Sequence, residues 1–269
     1  MFKNRMDLHT HSDNSPDGRH SITMMCEQAI AAGLRAIAIT DHVDCADGIP
    51  VRYDMALRNS NFETHKAKAI FAGKLIVLSG VEVGQPLFDM DTYRDVTAHP
   101  LDVVLLSVHS TPSGGDYYEW DYHEHDPAAA LDDYFDALLR HAEWGGYDCL
   151  AHLTYPFRYI FWRDNVDIDL GLYDDQIDAV LRAAAERGKA IEINTHGLRQ
   201  FPREDILPDE RILRRYRELG GEYLTIGSDA HKAGDIGAGI DEALQIAYDV
   251  GFRYTTLYLN REPMQIPIK

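Results

Sequence analysis

Residues 6–18 read MDLHTHSDNSPDG, a short apolar run that stops in His9, Thr10 and His11 and passes at once into Ser, Asp, Pro and Gly. Side chains two apart on a strand share a face, so the imidazoles leave the run as a pair. Alone, the pair decides nothing, because two surface histidines read the same way. Repetition gives it weight. Six further apolar, often β-branched runs (34–40, 74–83, 102–108, 148–153, 190–194 and 223–228) carry polar, mostly metal-capable residues at or near their C-terminal ends. In order these are Asp41-His42, Glu82, His109, His152, Asn194 and Asp229-Ala230-His231.

Between the runs, helical spacing covers 23–33, 59–72, 128–144, 175–187, 209–219 and 239–250. Asp126 and Pro127 read as N-cap and first helical residue, and Gly33, Gly73, Gly188, Gly220 and Gly251 read as stops. Strands alternating with helices predict a parallel sheet. Two architectures compete. A closed β/α barrel brings every strand exit to one rim, where such barrels hold their active sites. An open doubly wound sheet gathers ligands at one switch point only, and the chain has neither G-x-G-x-x-G nor a P-loop. The pattern of exits therefore favours a closed parallel β/α barrel, an α/β fold, spanning residues 1–269 as one domain. The run 254–260 is either an eighth strand or a tail packed outside.

The chain has 269 residues, with 45% hydrophobic and 26% charged, and no linker-like tract. Its 44 acidic residues against 26 Lys and Arg give a net charge of -18, which removes the counterion-release term that drives nucleic-acid binding. Cys26, Cys45 and Cys149 offer no disulfide framework, the N-terminus reads as no signal peptide, and no apolar run reaches a membrane span. A cytoplasmic protein without nucleic-acid or membrane partners is expected; the oligomeric state is not legible.

Each histidine singly is as well explained as a hydrogen-bonded core residue, and Thr40-Asp41-His42 as a cap. Glu82 is different, because an unpaired carboxylate inside LIVLSGVEVG is costly to bury. Taken together, the exits predict a shared metal site. His123 and His125 form a second H-x-H, but in a loop, and read as a solvated turn. His20, His65, His99 and His141 receive no role, and His196 is expected to line the pocket without ligating. Arg158, Arg163 and Arg199 follow strand exits and are candidates for gripping an anion, although surface ion pairs are the plainer alternative.

The motifs HTHSDNSPDG, AITDH, SGVEVG, SVHS, AHLTYPFRY, EINTHGLR and GSDAH together resemble those of the PHP superfamily (polymerase and histidinol phosphatase), most closely its histidinol-phosphate phosphatase branch. The likeness runs from His9 to His231. It implies a distorted seven-stranded parallel (β/α)7 barrel of PHP type with three divalent ions: His9, His11, Glu82 and Asp229 for a first, Asp17, His42 and His231 for a second, and Glu82, His109 and His152 for a third. Asp17, where some branches have histidine, points to the phosphatase branch; His196 stands where that branch has a small residue. Arg199 matches the branch's phosphate-gripping arginine.

The implied activity is hydrolysis of a small phosphate monoester, L-histidinol phosphate in histidine biosynthesis. Ions about 3.5–4 Å apart supply a nucleophile and neutralise phosphoryl oxygens, and imidazole with carboxylate suits Zn, Mn or Fe. Asp17, His42 and Arg199 are the expected catalytic residues, with Asp17 or a nearby histidine protonating the leaving alkoxide. Arg158, Arg163 and Arg199 are expected on the phosphate, and one or more of Asp41, Asp44 and Asp47, Asp44 foremost, on the substrate's ammonium. A nucleotide phosphoesterase or nuclease, a metal-dependent amidohydrolase, and a non-catalytic metal-binding module remain as alternatives.

Overall fold

The computed structural model describes residues 2–45, 53–111, 115–200 and 205–269. Asp47 lies outside them. All seven expected strands form: β1 (Met6–Asp7), β2 (Ala36–Ile39), β4 (Ile76–Gly84), β5 (Val103–Ser107), β6 (Cys149–Leu150), β7 (Ala190–Asn194) and β8 (Leu224–Gly227). They pair in parallel, in the order β1-β2-β4-β5-β6-β7-β8. The ends of this sheet meet, for the Leu8 N–H donates to Ile226 O (2.9 Å) and the Asp229 N–H to His9 O (2.8 Å). The result is a nearly closed seven-stranded barrel. It is distorted because β1 and β6 are two residues each, and because an unexpected short strand, β3 (His42–Asp44), pairs with the end of β4 and places His42 opposite Glu82.

Strands buried on both faces explain the near-continuous apolar runs; every residue of β2 and β5 is buried. The expected helices appear with most ends shifted by one or two residues, as in Ile22–Ala31 and Pro127–Trp144, whereas the helix expected over 59–72 runs from Tyr53 to Ile70 and so starts six residues earlier. Asp126 caps Pro127–Trp144 through the Ala128 N–H, and Gly251 ends Ile240–Val250 at φ 109, a conformation that disfavours any Cβ. Among the described residues no helix is long and apolar enough to cross a membrane, and all three cysteines are free and buried.

The run at 254–260 is a strand outside the barrel. β9 (Tyr254–Leu259) and β10 (Glu262–Pro267) form an antiparallel hairpin. Its contacts fall on residues that begin barrel strands: the Tyr258 hydroxyl donates to Asp148 O (3.0 Å), the Asn260 N–H to Asp102 Oδ1 (3.2 Å), and Arg261 grips the Asp148 carboxylate through Nε (2.9 Å) and Nη2 (3.0 Å). Leu257 and Tyr258 join the apolar cluster of Leu8, Ala38, Leu105 and Cys149. The hairpin thus covers the N-terminal mouth, opposite the rim that carries the histidines.

His141, on the helix Pro127–Trp144, is fully buried. One ring nitrogen contacts Ala137 O (2.7 Å) and the other accepts the Leu87 N–H (3.1 Å), so the neutral ring satisfies both. Burial pushes its pKa down to about 4. A depressed histidine contributes stability above its unfolded pKa, and that contribution fades as pH falls from about 6.5 towards 4, a loss of roughly 3 kcal/mol. Urea titrations are expected to show His141→Gln losing less stability than the parent protein over this range; parallel profiles would reject the assignment.

Candidate metal centre

The β4 strand carries Glu82 to the C-terminal rim, where the β/α order gathers the other exits around it. Its carboxylate is fully buried and five imidazole nitrogens stand against it. Oε2 meets His9 Nε2 (3.1 Å), His11 Nε2 (3.5 Å) and His42 Nδ1 (2.9 Å). Oε1 meets His109 Nε2 (3.2 Å) and His152 Nε2 (2.8 Å). A carboxylate offers about four lone-pair sites, so five rings exceed what hydrogen bonding can absorb. His11 Nε2 and His42 Nδ1 are indeed buried without a well-directed hydrogen bond, despite their short distances to carboxylates. Lone pairs converging on oxygens in this way form a donor set for cations.

Asp229 extends the cage. Its Oδ1 lies 3.4 Å from His11 Nε2 and 3.6 Å from His231 Nδ1. His231 Nε2 in turn reaches Asp17 Oδ2 at 3.0 Å, with His42 Nε2 at 3.8 Å from the same oxygen. His42 and His231 stack on His11 from its two neighbours' sides, with centroids 4.1 and 4.2 Å away. Groups of ligand atoms close enough to share an ion include His9-His11-Glu82, His11-His42-His231 and His42-Glu82-His109. His196, with Asp229 and His231, forms a further group, so it sits nearer the centre than its sequence position suggested. Two residues of the rim, His152 (φ 23) and Asp229 (φ 55), hold strained left-handed backbones, as functional sites often do.

Charge in the cage follows from competition between burial and neighbours. Burial would lower His9, His42 and His109, but the carboxylates facing them prevail and raise all three, His42 to about 9. At His11 burial prevails, helped by His42 and His231, and its pKa drops well below the usual range. Burial would raise Glu82 and Asp229, yet the surrounding imidazoles, His9 first, hold both well below ordinary carboxylates. Asp17 is likewise held low, against burial, by His231 and His42.

Sequence reasoning missed a second ring of carboxylates. Glu192, in β7, is buried; Oε1 contacts His9 Nδ1 (2.8 Å) and Oε2 accepts the His152 N–H (2.9 Å). A carboxylate on Nδ1 directs the lone pair of Nε2 towards the centre and raises its basicity. The signal was available: Glu192 interrupts AIEIN as Glu82 interrupts its own strand. Asp44 does the same for His109, whose Nδ1 lies 3.0 Å from Asp44 Oδ1. Asp41 is buried and accepts the Ser12 N–H (2.6 Å) and the hydroxyls of Ser12 (2.8 Å), Ser15 (3.0 Å) and Ser60 (2.5 Å), which leaves it no reach to a substrate. Glycine makes room where these groups crowd. A Cβ at Gly227 would collide with Glu192 Oε1 and His9 Cβ, and one at Gly84 with Asp44.

The arginines separate. Arg158 is buried on a π-helical turn (Arg158–Arg163) and lines an open cleft of about 870 Å³ together with Glu82, His109, His152, Asp229 and His231. Its Nη1 is 3.5 Å from Asp229 Oδ2, its Nη2 donates to Asn194 Oδ1 (3.2 Å), and Nε has no hydrogen-bond partner among the described residues. Arg163 also borders the cleft, but its donors are spent on Asp164 and on the carbonyls of Tyr118 and Trp120. Arg199 donates from Nη2 to Ser228 O (2.7 Å), with Nε 3.5 Å from Asp235; its Nη1 is buried with no hydrogen-bond partner among the described residues.

A model of the PHP domain matches residues 7–196. The chain belongs to the PHP domain family. This PHP chain is 32% identical over 252 residues to a probable histidinol-phosphatase of Clostridium acetobutylicum, covering 90% of the chain and 92% of that relative. With a probable histidinol-phosphatase of Thermotoga maritima it shares 31% identity, covering 93% and 94%. The histidinol phosphate phosphatase of Lactococcus lactis subsp. lactis, solved with zinc, L-histidinol and phosphate, superposes with a TM-score of 0.85 at 25% identity, over 97% of this chain and 99% of that one.

If Glu192 sets the His9 ring, Glu192→Gln is expected to weaken zinc binding by about 10- to 100-fold. Competition against a chromophoric chelator measures this, with thermal unfolding as the check on the fold.

Proposed function

We propose that the chain, read as one PHP-type domain, hydrolyses L-histidinol phosphate to L-histidinol and phosphate, a step of histidine biosynthesis, with three divalent ions drawn from Zn, Mn or Fe. The observation that carries the reading is the Glu82 carboxylate divided between two sets of imidazoles beside a buried arginine. Oε2 faces His9, His11 and His42, and Oε1 faces His109 and His152, so one residue bridges separate ligand groups. The likeness to histidinol-phosphatases over nine-tenths of the chain supports the same substrate.

In this reading His9, His11, Glu82 and Asp229 hold a first ion, Asp17, His42 and His231 a second, and Glu82, His109 and His152 a third. The ions supply a hydroxide-generating, charge-neutralising Lewis-acid site. Arg158 binds the phosphoryl group: its guanidinium is buried, only loosely engaged by Asp229, and directed fork donors match phosphate oxygens. Arg199 supports this from below by fixing the Ser228 carbonyl, and thereby the turn that presents Asp229 and His231. Arg163 acts on the loop that borders the substrate and not on phosphate. Asp44 orients His109. Glu192 and Asp44 keep the Nε2 atoms of His9 and His109 aimed inward while the reaction proceeds.

A panel of phosphate monoesters, phosphodiesters and amides, assayed before and after chelation, tests the proposal. L-histidinol phosphate is expected to be the best substrate, with activity lost on chelation and restored by zinc or manganese. Arg158→Ala is expected to lower kcat/KM about 100- to 1000-fold, the cost of removing one preorganised charge-stabilising donor. Arg158→Lys is expected to recover little, because an ammonium lacks the planar fork. Chelator-resistant activity, or amide turnover alone, would reject the reading.

A further inference from the structure

An amino-alcohol phosphate carries an ammonium on the carbon next to its ester carbon, so its recognition needs an anion close to the phosphoryl site. Asp44 was the expected candidate, but it is already paired with an imidazole, His109 Nδ1 lying 3.0 Å from its Oδ1. The other carboxylates of the cleft are also occupied: Glu82 by imidazoles, Asp17 by His231, Asp229 by Arg158 and histidines, and Asp235 by Arg199 and Lys232. Glu119 is exposed and solvated.

One carboxylate differs. Asp116 lines the cleft, is half-buried, and makes no ion pair among the described residues. Its Oδ1 accepts the Tyr118 N–H (2.8 Å) and the Tyr155 hydroxyl (3.3 Å), and no described residue bonds Oδ2. Burial raises its carboxyl above the usual range, against the opposing pull of His109 and the Tyr118 N–H. We propose that Asp116 accepts the ammonium group of the substrate and so sets a preference for amino-alcohol phosphates over plain phosphate esters; this rests on the function proposed above.

The mounting of Asp116 fits that task. Its backbone bridges Ser110, and the Tyr117 N–H donates to His109 O (3.0 Å), which ties the residue directly to the exit that carries His109. Tyr155 joins the two subsites. Its hydroxyl touches Asp116, its ring packs 4.9 Å from His109 and 5.0 Å from His152, and the Arg158 guanidinium lies over it at 5.7 Å. Asp116 and Arg158 therefore contact the same phenol, the carboxylate at its hydroxyl and the guanidinium over its ring, and both line one cleft. Arg163 immobilises the loop from outside by holding the Tyr118 and Trp120 carbonyls, while the Tyr122 N–H donates to Asp164 (3.0 Å).

The test compares kcat/KM for L-histidinol phosphate and for its deamino analogue, the phosphate of imidazolylpropanol. The parent protein is expected to prefer the amine. Asp116→Asn is expected to lower kcat/KM for the amine ester about 10- to 100-fold more than for the deamino ester, the value of one charge-assisted hydrogen bond, with the loss entering through KM. Asp116→Glu is expected to recover part of the preference. Equal losses on both esters, no loss on either, or a parent protein indifferent to the amine would each overturn the proposal while leaving the phosphatase reading intact. Should the parent protein cleave neither imidazole ester, O-phosphoethanolamine and ethyl phosphate replace them: an amine preference abolished by Asp116→Asn would support Asp116 with the L-histidinol phosphate reading refuted, and an unchanged preference would overturn both.

Discussion

A single buried carboxylate organises this protein. Glu82 sits where burial should make its charge expensive, and it is held ionised because imidazoles arriving from four other strand exits surround it. Such a carboxylate is stable only while those partners stay in place, so the geometry of the whole rim is coupled to one residue of β4. Parallel β/α topology is what makes this possible. Strands distant in sequence end at one level, and their side chains converge without any local motif having to supply all the ligands.

The ring beyond the ligands converts convergence into direction. His9 and His109 each have one nitrogen against Glu82 and the other against a second carboxylate, Glu192 or Asp44. Their rings cannot flip or swing without breaking both contacts. Gly227 and Gly84 allow these carboxylates to come so close, since any Cβ at either position would displace one of them. Preorganisation here is purchased with glycines and with the strained backbones of His152 and Asp229.

What the sequence made legible follows the same division. The barrel was readable because its strands are continuous apolar runs with turn signals between, and because polar residues recur at one end of each. Glu82 was readable as a charge in the wrong place. The same logic applied to Glu192 and was not used. The roles of Asp41, Asp44 and Arg163 were not readable at all, because a carboxylate past a strand looks identical whether it meets serines, a histidine or a substrate. That distinction is made by hydrogen-bond partners from distant segments: Ser60 for Asp41, His109 for Asp44, the Tyr118 and Trp120 carbonyls for Arg163. Strand β3 escaped because three residues carry too little periodicity to separate from a turn.

The two ends of the barrel divide the remaining work. At the N-terminal mouth the hairpin Tyr254–Pro267 ties Asp102, Asp148 and Leu224 together through hydrogen bonds to strand beginnings, contacts that serve stability and touch no chemistry. At the other mouth His11 Nε2, His42 Nδ1, Arg158 Nε and Arg199 Nη1 are buried with no hydrogen-bond partner among the described residues. An unsatisfied buried polar atom costs about 1–3 kcal/mol, so holding several at one rim draws on the stability of the rest of the fold. The histidine and carboxylate cluster and the buried Arg158 thus share one rim, and the helical segment from Tyr155 to Arg163 connects its two parts, presenting Arg158 to the cleft while Arg163 holds the Tyr118 and Trp120 carbonyls at its edge.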